Sequence, residues 1–392
     1  MNPQLPGIPD RRPPGSTRYI WLAISAAGTT ASFFINLYID TVRQWVEWTW
    51  ARVALPWVLY SLILIGCCFG VWRARGRILQ RRWDARRIVE RNLSIYPHIF
   101  DDDLPDDTSV IGRKIHYLER VTDSPILVIC LHGLGLDASD YRRYMHTATE
   151  HTVAITQYGF NVFEAKDPRY KPISLTSHAE LISGVIRHLQ HANRAKKLIL
   201  VGFSLGADLL LRLTELWREE PDRQPAVAGM LLLDPNINHS TMIVSSGVSQ
   251  LSTADPLAEL KRIANLPHTL VEFQNITEYL HKITVKNLDQ VRQFAADMYA
   301  YWEPDGHYDR FLERIGRLRS VCPKIKVVFS VHYEDHFNDI VSLARQRKLN
   351  RDLFTVEAVD HFDLLDETLL RREVAALAAT GFAGQRSATS RP

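Results

Sequence analysis

Cysteine is scarce in this chain, and charge of neither sign dominates it. Only four cysteines occur in 392 residues, Cys67, Cys68, Cys130 and Cys322, with no CxxC pair and no zinc-like spacing. So few thiols exclude a disulfide-stapled scaffold. Lysine and arginine total 47 against 44 aspartates and glutamates, which gives no general footprint for nucleic acid. The 46% hydrophobic content is instead typical of an ordinary folded protein.

Charged residues are missing from two segments near the N-terminus, residues 19–39 and 53–72. Each segment is about as long as a helix needs to cross the hydrocarbon core of a bilayer. The sequence therefore predicts a two-helix transmembrane hairpin over 19–73, after an N-terminal tail over 1–18. A basic juxtamembrane linker follows over 74–94, and the positive-inside rule then places the tail and the catalytic domain in the cytoplasm. Buried core helices are an alternative for both segments, and a secretory signal is an alternative for the first.

Beyond residue 94 the pattern changes to short apolar runs that alternate with longer amphipathic segments. Such alternation is typical of α/β units around a parallel sheet. Strands are predicted at Lys114–Arg120, Ile126–Leu131, Val153–Gln157, Leu198–Val201, Gly229–Leu233, Lys326–Val331 and Leu353–Ala358. Helical periodicity lies between most of them, as in Thr176–Ala192 and Leu205–Trp217. The sequence thus predicts an α/β domain over 95–382 with an inserted helical cap over about 238–323, followed by a polar tail over 383–392.

One serine lies where a predicted strand passes into a predicted helix. The run Leu198–Val201 leads into Gly202-Phe203-Ser204-Leu205-Gly206, and a helical apolar pattern follows at once. Strand, sharp turn and helix form the setting in which Gly-x-Ser-x-Gly presents a nucleophile. Both glycines are needed because a side chain there would collide with the neighbouring strand or helix. Ser204 is therefore the predicted nucleophile.

A serine hydroxyl needs a base, and an imidazole base needs an acid that fixes its tautomer. His361 leaves the predicted strand Leu353–Ala358 and precedes a final amphipathic segment. Asp335 follows the predicted strand Lys326–Val331, which gives the chain order Ser, Asp, His. The sequence predicts a triad of Ser204, Asp335 and His361.

These features resemble the α/β-hydrolase fold, and the resemblance covers about residues 95–382. A second motif, His132-Gly133-Leu134-Gly135, follows the strand Ile126–Leu131 and is similar to the family's His-Gly loop. The resemblance implies a mainly parallel sheet with a lid at the insertion. It also implies an oxyanion hole formed by the main-chain N–H groups of Leu134 and Leu205.

The resemblance leaves alternatives for the triad acid. Some lipase-like and thioesterase-like members take their acid from the position of Asp234, which directly follows the predicted strand Gly229–Leu233. Asp339 is a third candidate.

The sequence as a whole predicts a membrane-anchored serine hydrolase that cleaves an ester or thioester through an acyl-enzyme, without a metal or other cofactor. A lipid or long-chain acyl substrate fits the hairpin, whose expected partner is the bilayer. Peptide and carbon–carbon bond cleavage are alternatives on the same fold. A binding or scaffolding protein that keeps the fold without turnover is an alternative of another class, since a fold does not imply catalysis.

Overall fold

The computed structural model describes residues 87–100, 108–164, 167, 169–249, 281–302 and 308–379, together with residues 38, 60–63 and 66–67. The chain forms two compact units, residues 1–81 and 82–392, and the fold and site below belong to the second. The predicted tails over 1–18 and 383–392 lie outside the described residues, as does nearly all of the hairpin over 19–73. No helix among the described residues has the length and apolar content that a bilayer span needs. The hairpin stays a prediction from the sequence.

The second unit is built on one eight-stranded sheet. The strands are β1 Val89–Ser94, β2 Lys114–Arg120, β3 Ile126–Leu131, β4 His151–Thr156, β5 Lys197–Phe203, β6 Val227–Leu233, β7 Ile325–Phe329 and β8 Phe354–Val356. Their order across the sheet is β1-β2-β4-β3-β5-β6-β7-β8. β2 runs antiparallel to β1 and β4, and the other pairs are parallel. The predicted mainly parallel α/β sheet is confirmed.

Helices connect the strands and pack beside the sheet. The helices whose bounds the structure gives are α1 Pro97–Phe100, α2 Arg142–Thr147, α3 Leu175–Ala192, α4 Leu205–Glu219, α5 Ile243–Ser249, α6 Leu288–Tyr301, α7 Asp309–Val321, α8 Glu334–Gln346 and α9 Glu367–Ala379, and residues 281–284 are helical as well. α3 and α7 pack against α4, while α9 packs against α2 and β6. Short 3-10 helices, among them Ala138–Tyr141 and Val331–Tyr333, shape the connections.

The central strands are continuous apolar runs because neighbouring layers cover both of their faces. Every residue of β3 is buried, and in β5 only Lys197 is partly exposed. Because burial makes these strands apolar along their length, the sequence could predict them, and the bounds of β3 agree with the predicted Ile126–Leu131. The helix α4 also begins at the predicted Leu205.

β1 is the strand that the sequence did not predict. Its residues read VERNLS, and Leu93 is the only buried one among them, so no alternation of apolar and polar residues marks the strand. It pairs antiparallel with β2 from Val89 opposite Glu119 to Ser94 opposite Lys114. Residues 89–94 therefore belong to the sheet, whereas the sequence had placed them in the basic linker over 74–94.

The described part of the insertion between β6 and β7 is helical and contains no strand. α5, α6 and α7 lie in it, and α5 packs against α6. The last helix, α7, packs on α4, with Arg314 Nε 3.1 Å from Glu215 Oε1. α7 is thus part of the layer beside the sheet.

Strand register brings the carboxyl ends of the parallel strands to one edge. Leu131 pairs with Gly202, Phe203 pairs with Leu233, and Leu233 pairs with Val328. The segments that follow these strands therefore meet at the edge where α/β proteins place their ligand sites.

Candidate active site

Ser204 forms the sharp turn between β5 and α4. Its backbone has φ 52° and ψ −122°, a strained conformation for a residue with a side chain. The Ser204 N–H donates to Leu233 O at 2.7 Å, and the N–H groups of Ala207 and Asp208 donate to Ser204 O at 2.8 and 3.1 Å. Strand, turn and helix thus hold Ser204 in the setting that the sequence predicts for a nucleophile.

Gly202 and Gly206 permit this turn because neither position has room for a side chain. A Cβ atom at Gly206 would lie 2.3 Å from Leu131 O, and one at Gly202 would lie 2.5 Å from Gly206 O. Both neighbours are backbone atoms, which cannot move aside cheaply. The two glycines let the start of α4 pack directly against the ends of β3 and β5.

The His361 ring lies beside the serine turn. Its centroid is 4.6 Å from that of Phe203, the residue directly before Ser204. Phe362 packs against the ring edge-on, at 5.2 Å between centroids. The His361 side chain is 30% exposed. Solvent therefore reaches part of a ring that its aromatic neighbours otherwise enclose.

The carboxylate bonded to His361 is that of Asp234. Its Oδ2 accepts a hydrogen bond from His361 Nδ1 at 2.7 Å, and its side chain is fully buried. Its other oxygen, Oδ1, accepts the N–H of Ser330 at 2.6 Å. A carboxylate can only accept, so the proton lies on Nδ1 and His361 Nε2 is left as an acceptor. A φ of 43° at Asp234 turns the chain directly after β6 towards this partner.

This pairing corrects the predicted pairing of His361 with Asp335. Asp335 lies exposed in the first turn of α8, and Asp339 lies exposed one turn further along the same helix. The reason lies in the connection after β7, where the 3-10 helix Val331–Tyr333 leads straight into α8. This strand end contributes the backbone N–H of Ser330 to the site, and the carboxylate comes from the end of the neighbouring strand β6.

His132 is buried and hydrogen-bonds the backbone around it. Its Nδ1 donates to Gly133 O at 2.8 Å, and its Nε2 accepts the N–H of Gln157 at 2.9 Å. The Gln157 side chain donates to His132 O at 2.7 Å. Burial lowers the pKa of His132 to about 4. The ring is therefore neutral with both nitrogens occupied, and it does not compete with His361 for the role of base.

The residues after His132 form a tight turn against Ser204. Leu136 N–H donates to Gly133 O at 3.2 Å, and Gly135 has a φ of 76°, which suits glycine at the third position of a type II turn. A Cβ atom at Gly133 would lie 3.2 Å from Ser204 Cβ, so this backbone touches the serine.

Both predicted oxyanion donors adjoin this contact. Leu134 is the second residue of the turn, and the hydrogen bond that closes the turn does not use its N–H. Leu205 opens α4, and the first N–H groups of a helix have no partner within it. Two main-chain donors therefore lie close to Ser204.

Asp208 is a buried acid that the sequence prediction missed. Its Oδ1 accepts the N–H of Asn236 at 2.9 Å, and its Oδ2 is hydrogen-bonded to Asn236 Nδ2. Burial raises the pKa of Asp208 to about 7, although the bonds from Asn236 act in the opposite direction. The contact ties the helix after Ser204 to the loop that starts at Asp234. An acid among the apolar residues of α4 is the sequence signal that could have found it.

A cavity of about 210 Å³ lies between β2, the end of β4 and the 3-10 helix Ala138–Tyr141. Its lining includes Arg142, Thr156, Asn161, Val162 and Phe163, of which Phe163 is 79% exposed. Ser204, Asp234 and His361 do not line it. In the part of the chain that the structure describes, no three His, Cys, Asp or Glu side chains gather as a metal ion would require.

A strained serine beside a histidine–aspartate pair, at the carboxyl edge of a mainly parallel sheet, defines a protein of the α/β-hydrolase class. The model of the alpha/beta hydrolase family matches residues 128–377. The chain belongs to this family and is a hydrolase.

Several solved structures are similar to this chain over most of its length. A bacterial membrane phospholipase A is 15% identical, covering 84% of this chain and 98% of its own, with a TM-score of 0.46. A thermophilic esterase from Thermogutta terrifontis is 15% identical, with coverages of 74% and 99% and a TM-score of 0.48. E-2-(acetamidomethylene)succinate hydrolase is 18% identical, with coverages of 75% and 100% and a TM-score of 0.46. A comparison with curated protein sequences finds no match.

Proposed function

We propose that this hydrolase is a serine esterase, lipase or thioesterase that works through an acyl-enzyme. The observation that carries the proposal is the 2.7 Å hydrogen bond between His361 and buried Asp234, next to the strained turn of Ser204. A serine hydroxyl is a weak nucleophile unless a base takes its proton. An imidazole whose Nδ1–H is held by a buried carboxylate is suited to that task.

In the proposed first half-reaction, Ser204 Oγ attacks the acyl carbonyl carbon and its proton passes to His361 Nε2. Asp234 stabilises the imidazolium that forms. The N–H groups of Leu134 and Leu205 donate to the oxyanion, an effect that typically lowers the barrier by several kcal/mol. The bond to the leaving alcohol or thiol then breaks, and His361 returns the proton to that leaving group.

In the second half-reaction, a water molecule attacks the carbonyl carbon of the acyl-enzyme while His361 Nε2 takes a proton from this water molecule. The tetrahedral intermediate collapses, the carboxylic acid leaves, and the proton returns to Ser204 Oγ. One cycle consumes one ester or thioester and one water molecule, releases the alcohol or thiol and the carboxylic acid, and returns Ser204 and His361 to their starting states.

The proposed substrate class is an ester or thioester of a lipid or long-chain acyl group. The two uncharged segments over 19–39 and 53–72 support this part of the proposal, because a membrane anchor would bring the domain to a bilayer. In this proposal the hairpin holds the catalytic domain at the cytoplasmic face. We expect that only detergent releases the protein from the membrane fraction. Release of part of the protein by high salt or carbonate would contradict the anchor.

The proposal is tested by hydrolysis of p-nitrophenyl esters from acetate to palmitate, using detergent-solubilised full-length protein and Ser204→Ala as control. We expect Ser204→Ala to lose at least about 10³-fold in turnover, and a serine-directed fluorophosphonate to label only the unmutated protein. A preference for long chains would support the lipid substrate class. Equal turnover in both proteins would overturn the serine mechanism. If the unmutated protein shows no turnover and no labelling, the result would favour the scaffolding alternative.

A further inference from the structure

Two lysines of the insertion contact the 3-10 helix that follows the His-Gly turn. Lys286 Nζ pairs with Asp137 Oδ2, and Lys282 Nζ pairs with Asp140 Oδ1. The lysines are four residues apart, and the acids are three apart at the two ends of one short turn. The insertion is therefore fastened to the chain directly after Gly133–Leu136.

Each of these carboxylates also holds the backbone of the loop. Asp137 Oδ1 accepts the N–H of Ser139 at 2.8 Å, and Asp140 Oδ2 accepts the N–H of Asp137 at 2.9 Å. This reciprocal arrangement is a capping box. Each acid thus uses one oxygen for the loop and the other for a lysine, so a change at the lysine reaches the loop through a single side chain.

The two pairs differ in burial. The Lys286 side chain is 2% exposed, while that of Lys282 is 33% exposed. Burial alone would raise the pKa of Asp137, but the charge and hydrogen bond of Lys286, together with the hydrogen bonds from Ser139, lower the pKa well below its usual range. The carboxylates differ in the opposite sense, since the Asp137 side chain is 27% exposed and that of Asp140 is 12% exposed. Lys286 has the larger hold on the turn because its partner Asp137 directly follows Leu136, whereas Asp140 lies four positions beyond Leu136.

The segment around Lys286 is itself fixed to the loop after β4. The next residue, Asn287, donates its N–H to Gly159 O at 3.2 Å and its Nδ2 to Tyr170 O at 3.0 Å. Asn287 Oδ1 also accepts the N–H of Gln290 at the start of α6. Lys286 consequently reaches Asp137 from an anchored backbone.

We propose that Lys286 is a positioning residue for catalysis: through Asp137 it holds the turn Gly133–Leu136 so that the Leu134 N–H meets the oxyanion. Leu136 precedes Asp137 directly, and the turn touches Ser204, so a shift of Asp137 is passed to the donor. The inference rests on the proposed function, because it assigns Leu134 to the oxyanion hole.

The test compares Lys286→Met with Lys282→Met, Lys286→Arg and Asp137→Asn on the p-nitrophenyl ester that the full-length protein hydrolyses best. We expect Lys286→Met and Asp137→Asn each to lower kcat by about 10- to 100-fold, the cost of a small misplacement, with KM changed less than about twofold. Lys282→Met is expected to lose less than about fivefold. Lys286→Arg, which keeps the charge, is expected to recover most of kcat.

A purely structural role would leave one further readout unchanged. The affinity for a trifluoromethyl ketone, whose adduct with serine carries the oxyanion, is expected to fall by the same factor as kcat. Should Lys286→Met not fold, Asp137→Asn decides the matter, because asparagine is a favourable N-cap residue that keeps the loop contact. Folded variants with unchanged kcat, or with a loss confined to KM, overturn the inference. Retained turnover in Ser204→Ala would instead overturn the proposed function itself.

Discussion

Replacing Asp234 with asparagine makes the strongest test of the candidate triad. The N–H of Ser330 needs an acceptor, so the new amide would keep its oxygen there and turn its NH₂ group towards His361. His361 Nδ1 would then have to accept, which moves the ring proton to Nε2. An imidazole in that tautomer cannot take the proton of Ser204.

The expected cost of Asp234→Asn is about 10⁴-fold in kcat, the loss seen when a triad imidazole is held in the wrong tautomer. This factor corresponds to about 5.5 kcal/mol of transition-state stabilisation. The bond that is lost measures 2.7 Å and its carboxylate is fully buried, so water cannot replace the missing charge. We expect little change in KM, because no part of this step concerns binding of the substrate.

The assay is hydrolysis of a p-nitrophenyl ester at saturating concentration, with Asp335→Asn as the matched control. Asp335 is exposed on α8, so the same chemical change there should leave kcat within about twofold. Thermal unfolding checks that both variants are folded. A large loss in Asp335→Asn together with a small one in Asp234→Asn would refute the assignment of the acid.

Two further predictions concern stability. Gly206→Ala would place a Cβ atom 2.3 Å from Leu131 O, so we expect at least about 3 kcal/mol lower stability in urea unfolding, while Gly316→Ala, with open space around it, should gain up to about 1 kcal/mol. His178 is buried without a partner for either ring nitrogen, and burial lowers its pKa to about 3. Below pH 6.5 the unfolded chain takes up a proton that folded His178 cannot, which removes about 2 kcal/mol of stability at pH 5. His178→Phe should therefore lose about 2 kcal/mol less stability than the unmutated protein between pH 8 and pH 5. An equal loss of stability in the unmutated protein and in His178→Phe would contradict this account of His178.

Much of the fold could be predicted because its signals are local. The central strands are apolar along their whole length, and the helices between them repeat their apolar residues every three or four positions. β1 was not predicted because Leu93 is its only buried residue, so pairing with β2, rather than its own residue pattern, makes it a strand. The parts of the insertion within 250–280 and 303–307 lie outside the described residues, and its predicted bounds stay untested.

The candidate nucleophile was determined by the sequence alone. Gly202, Ser204 and Gly206 form a turn whose strain arises within five residues, between a strand and a helix that are both marked by their apolar pattern. The His-Gly turn is equally local, since a φ of 76° at Gly135 and a hydrogen bond between Gly133 and Leu136 close it.

The partners of these local elements were decided only by the tertiary structure. β6 and β7 are adjacent parallel strands, so either end could have supplied the acid, and chain order does not distinguish Asp234 from Asp335, because both lie between Ser204 and His361. The structure pairs His361 with Asp234, because α8 carries Asp335 into solvent while Ser330 N–H and His361 converge on the carboxylate after β6. The pairing of Asp137 with Lys286 spans 149 positions and depends on how the insertion meets the sheet. Such contacts follow from the arrangement of whole strands and helices, which no short stretch of sequence encodes.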